Sequence, residues 1–275
     1  MTEITHADQL TGSHFKEMLR KPVTWVWILG LTLVAGLGFG IFGSPVAGAV
    51  AAAVVLVIGI IVVYGMADSK AEEAFFDAYA KSRGLKRDAR DLKQLTPLLR
   101  KGDERETKQQ FVGKLDDQFS GSLALYTYTE ITRDHKGNEQ RSDYPFTLVL
   151  IELPETVEHL PELLVEKQSG FDFLEGLEDK FRGNHERVKL ESEALDQRFE
   201  IFVRKDQDPV WVRRLFSPSF IVWLTEHPAR DLAFEMVNGN LVTFVPKHKE
   251  SSGELDQMIS VGCEVAAKIR AEAVS

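Results

Sequence analysis

The chain has a single cysteine, Cys263, in 275 residues. No internal disulfide can form, so nothing points to an oxidising compartment, and one thiolate cannot hold a metal cluster. Charge is missing from one long stretch. The 46 residues from Pro22 to Ala67 contain no Asp, Glu, Lys, Arg or His, which is too long for a buried core helix and suits two membrane spans. The signatures of familiar chemistries are missing too. No two of the seven histidines fall three or four residues apart, so there is no helical zinc pair. There is no P-loop and no G-x-S-x-G elbow. Gly38-Phe39-Gly40-Ile41-Phe42-Gly43 matches G-x-G-x-x-G, but it lies in an apolar span without the strand-to-helix setting that gives the pattern meaning.

What is present is first a hairpin. Pro22–Phe42 and Val46–Met66 read as two transmembrane helices of about 31 Å each. Pro22 suits the first helical turn, Trp25, Trp27 and Tyr64 suit the interfaces, and Gly43-Ser44-Pro45 makes a turn so short that the spans must be antiparallel. Lys16, Arg20 and Lys21 precede the first span and Lys70, Lys81, Arg83 and Lys86 follow the second, while the turn has no basic residue. The positive-inside rule therefore predicts a multi-pass protein of the cell (plasma) membrane with the N-terminus and the C-terminal domain in the cytoplasm. A cleaved signal peptide ending at Ala47-Gly48-Ala49 fits less well, because the first apolar run exceeds an ordinary h-region. Gly36, Gly40, Gly48 and Ala52 lie at small-x-x-x-small spacing and are the candidate helix-packing residues in the membrane, either within the hairpin or between copies.

The net charge of −9 is unevenly spread. Eight basic residues against Asp88 and Asp91 make residues 81–101 strongly positive, and the chain beyond is acidic. The expected layout is a cytoplasmic N-terminal segment (1–21), the transmembrane hairpin (22–66), a juxtamembrane helix and basic stem (67–101) and a soluble α+β domain with a mainly antiparallel sheet (102–275). Ala71, Ala74, Phe75, Ala78 and Tyr79 form the apolar face of the juxtamembrane helix, with Gly84 as its stop. The stem reads as a solvated positive flank or as a contact with anionic lipid headgroups, at about 1 kcal/mol per basic residue. Nucleic acid is not expected, since the remainder is acidic and no aromatic residue interrupts the basic run.

In the soluble part, period-two alternation from Gly121, turn chemistry at residues 135–138 and the run Phe146–Leu153 predict a β-hairpin. Residues 155–182 read as acidic and partly helical, interrupted at Pro161 and Gly170. Arg187–Glu191 and Phe199–Arg204 read as strands. Asp208-Pro209 and Ser217-Pro218 open short helices carrying Val212, Leu215, Phe220, Val222, Trp223 and Leu224. Leu232–Val237, Asn238-Gly239 and Leu241–Val245 form the clearest hairpin signal. Ser251-x-x-Glu254 is a capping box before a final helix with Leu255, Met258, Ile259, Val265 and Ile269 on its apolar face. Glu162 with Glu166, and Asp172 with Glu175, Glu178 and Asp179, are expected on polar helical faces. The histidines are expected to be solvated, and Cys263 to be a small packed residue.

The segment Leu190-Glu191-Ser192-x-x-Leu195-x-x-x-Phe199-x-Ile201, continuing through Asp206-Gln207 and Val212-Arg213-x-Leu215-x-Ser217-Pro218-x-Phe220, resembles the C-terminal module of the bacterial domain-of-unknown-function family 3137. That resemblance covers residues 187–246. It implies a two-helix anchor ahead of an α+β domain, with no known activity. Leu195 and Phe202 depart from the aromatic and the tyrosine common at those positions. Arg213 and Ser217 are the motif positions that could contact a partner, against a plainer reading as an ion pair and a helix cap. The function expected is a membrane-tethered cytoplasmic interaction or sensory module with an unidentified protein partner, no cofactor and no catalysis. The alternatives are a structural homo-oligomer assembled through the small-residue hairpin, and an enzyme with an unrecognised site in the α+β domain.

Overall fold

A computed structural model describes residues 15–135, 137–158, 162–167, 184–226 and 232–274. The chain divides into two compact units, one of residues 1–83 with 250–253, the other of residues 84–249 with 254–275.

The first unit is built from two long apolar helices near the N-terminus, as the charge-free stretch predicts. Helix α1 spans Pro22–Phe42 and α2 spans Pro45–Arg83. Pro22 occupies the start of α1, and the Gly43 N–H closes its end on the Phe39 carbonyl at 3.0 Å. As the helical reading of residues 67–83 predicts, the second apolar run continues into the juxtamembrane helix, giving one helix of 39 residues; no Gly or Pro falls between Met66 and Gly84 to stop it. Its polar half buries Ala67, Ala71, Phe75, Phe76, Tyr79 and Ala80, whereas Ala78, expected on that face, is exposed. The two helices approach most closely at the small residues. A methyl group on Gly48 would stand 2.6 Å from the Gly36 carbonyl oxygen and 2.8 Å from the Gly40 Cα, and one on Gly36 would meet the Ala52 Cβ at 3.3 Å.

Among the described residues, the second unit contains a nine-stranded sheet whose pairings are all antiparallel, in the order β1-β2-β3-β4-β9-β8-β5-β7-β6. Its strands are β1 Lys86–Arg87, β2 Glu104–Lys114, β3 Ser120–Arg133, β4 Glu139–Glu152, β5 Glu162–Lys167, β6 His185–Val188, β7 Phe199–Arg204, β8 Ala233–Val237 and β9 Asn240–Pro246. The helices are α3 Pro97–Arg100, α4 Glu193–Asp196, α5 Pro209–Leu215, α6 Pro218–Glu226 and α7 Ser252–Val274. The β8–β9 turn is the predicted one: Asn238 and Gly239 both have positive φ, 48° and 75°, the geometry of a type I′ turn. The β3–β4 hairpin is longer than its sequence signal, with fourteen residues in each strand. Asp208 caps α5 by accepting from the Val210 N–H.

Three expectations are corrected. Glu162–Lys167, read as acidic helix, is strand β5, so Glu162 and Glu166 share a strand face rather than a helical one. The strand expected at Arg187–Glu191 begins earlier, at His185. The stem does not precede the domain but belongs to it, since the second unit starts at Gly84. Asp172, Glu175, Glu178 and Asp179 lie outside the described residues.

The register defines two sheet faces. On one, Val149 and Thr243 lie under α7, where Gly262 allows close approach (a Cβ there would stand 2.8 Å from the Val149 Cγ1), and Phe234 lies 6.3 Å from the Phe220 ring of α6. On the other lie Ala124, Tyr126, Tyr128, Phe146, Leu148, Leu150, Ala233, Val242 and Phe244. The cover of this second face is the stem, which contributes Leu92, Leu98 and Leu99 to one cluster with those residues, and Leu95 at its edge.

Candidate functional site

The stem becomes helical for one turn at α3. Pro97 follows Thr96 and has no N–H, so the first backbone donor of that turn is the N–H of Leu98. It donates to both carboxylate oxygens of Glu235, at 3.0 and 3.2 Å. Glu235 is on β8, opposite Val242 and Leu164, on the face that the stem covers. It is fully buried. Loss of water around it pushes its pKa up to about 7, while the Thr96 hydroxyl, the Leu98 N–H and Arg100 act the other way. The Tyr126 hydroxyl donates to the Leu99 carbonyl at 3.3 Å, and burial raises its pKa, with Glu235 adding and Arg105 opposing.

Arg100 and Lys101 of the stem, with Arg105 of β2, are engaged in this docking. Arg100 donates to the carbonyls of Gln94 and Leu95 at 2.9 and 3.0 Å. Arg105 donates to those of Arg100 and Gly102, both at 2.8 Å, and so covers the end of α3. Lys101 is buried, 3.5 Å from Glu130 and 5.0 Å above the Tyr128 ring. Arg90 holds Asp88 in a two-pronged pair that keeps the carboxyl down at about 2. Part of the positive charge from 81 to 101 is thus structural.

A second concentration of polar groups lies at one end of β5, β6 and β7. The His185 Nε2 and the Glu162 Oε2 are 2.6 Å apart, and the His185 side chain is only 9% exposed, which corrects the expectation of a solvated imidazole. Arg204, paired with His185 in the register, donates Nε to Asp206 at 2.8 Å and holds that carboxyl below its ordinary value. With Asn184 and Lys205 these residues line a polar cleft of about 540 Å³. Such a histidine–carboxylate pair is equipped to pass a proton or to receive a polar group. Among the described residues, no three His, Cys, Asp or Glu side chains are grouped to hold a metal ion.

No family profile, no curated protein and no solved structure matches this chain. The segment that resembles family 3137 runs through α4, β7, α5 and the start of α6, and neither Arg213 nor Ser217 lines the polar cleft. Arg213 is exposed and makes no ion pair among the described residues. The pair expected of it is made by its neighbour Arg214, which lies 3.9 Å from Glu272 and over the Trp211 ring. Ser217 places its hydroxyl 3.2 Å from that of Ser219. Cys263 is packed as expected, and burial, with Asp116 beside it, pushes its thiol up to about 12. Gly36, Gly40, Gly48 and Ala52 are brought together, all four in the contact between α1 and α2.

Sequence reading missed Glu235. Its signal is a lone carboxylate inside the apolar run Ala233-Phe234-Glu235-Met236-Val237, where a hairpin strand flanked on both sides has no water to offer it.

Proposed function

We propose that this chain is a multi-pass protein of the plasma membrane whose two apolar helices cross the bilayer as a hairpin with both ends in the cytoplasm. Its sheet domain serves there as a non-catalytic interaction or sensory module. The membrane reading is supported by two helices of sufficient length, with mean hydropathies of 1.8 and 3.0. Large apolar side chains such as Val26, Leu33, Phe39, Ile41 and Ile61 are more than half exposed on them, a surface that water does not tolerate at this extent. Orientation rests on the basic residues at the two ends.

The observation that carries the module reading is the docking of the stem. The chain that continues from α2 supplies a layer of the sheet domain's core and is fastened by the buried Glu235. A load or partner acting on either side of the stem acts on that layer, so the stem is the coupling element. Arg213 at the end of α5 is an available partner contact, and Lys81, Lys86 and Lys93 are available to anionic headgroups; none of the four holds an ion pair among the described residues. The test is crosslinking in cells of the full chain, with mass spectrometry of what co-purifies, beside a chain lacking residues 1–66. A specific partner enriched with the full chain supports the module. Reproducible turnover by the purified protein, lost on Glu162→Gln, supports instead an enzyme at the Glu162–His185 cleft. The homo-oligomer reading is weakened because the small residues it needs face one another within one chain.

A further inference from the structure

We draw no further inference here: the strongest candidate, the polar cleft at the ends of β5, β6 and β7, belongs to the site already described, and its charged side chains are spent on one another, Glu162 on His185 and Arg204 on Asp206, so that nothing in the structure shows what would occupy it.

Discussion

Glu235 and Leu98 are 137 residues apart in sequence, and both carboxylate oxygens of the first accept from the backbone N–H of the second. This one contact joins the stem to the centre of the sheet, and it places an ionisable group where no water reaches.

The contact makes stability depend on pH. Folded, Glu235 keeps its proton up to about pH 7, whereas the ordinary value is 4.5. Between these values the folded state binds a proton that the unfolded chain has released, so this group's contribution falls as pH rises from about 4.5 to about 7 and is level above. Glu235→Gln is expected to match the wild type near pH 5 and to be more stable near pH 8, by on the order of 3 kcal/mol. Denaturant unfolding followed by tryptophan fluorescence at the two pH values checks this. Equal differences at both would mean that the carboxylate ionises without cost.

The stem's leucines are expected to behave as core. Leu98 and Leu99 are fully buried, so Leu98→Ala or Leu99→Ala should destabilise the sheet domain by about 2–5 kcal/mol. Lys93→Ala, on the exposed side of the same segment, should stay within about 0.5 kcal/mol. Thermal unfolding of the three variants separates a structural stem from a passive linker.

In the hairpin, Gly48→Ala must push the helices apart, since the new methyl would stand 2.6 Å from the Gly36 carbonyl oxygen, while nothing lies within 4 Å of a Cβ at Gly38. The expected result is a lower melting temperature in detergent for Gly48→Ala. For Gly38→Ala an unchanged or raised one is expected, because alanine favours the helix by up to about 1 kcal/mol over glycine.

Topology is best read away from the native thiol, which is buried and weakly acidic and so a poor nucleophile. In a Cys263→Ala background, Val210→Cys, at an exposed position, is expected to react with an impermeant maleimide only after cells are opened. Ser44→Cys in the α1–α2 turn is expected to react in intact cells. The reverse pattern would place the sheet domain outside.

Sequence legibility follows local chemistry. The Asn238-Gly239 turn, strand β7, the proline-started helices α5 and α6 and the long apolar helices were readable because each is specified by neighbours in the chain. Strand β2 was not read, because most of Glu104–Lys114 is polar and its first half is largely exposed. Strand β5 was misread because Glu162-Leu163-Leu164-Val165-Glu166-Lys167 is rich in helix formers and is buried on both faces, so it lacks the alternation that marks a half-exposed strand. The stem looked like a solvated flank because its leucines are scattered among basic residues. Their shared face arises only when the sheet brings Tyr126, Phe146 and Phe244 opposite them. The Glu162–His185 and Glu235–Leu98 pairs are long-range products of register, and no spacing rule announces them.

Hydrogen exchange of the full chain in lipid vesicles, read at the amides of residues 98–101, tests most directly whether the stem is part of the sheet domain. If it is, the Leu98 amide is protected as strongly as the central strands β3 and β4, and Glu235→Ala lowers that protection selectively. If the Leu98 amide exchanges as fast as an exposed loop, the stem is only a linker, and the coupling role proposed for it is contradicted.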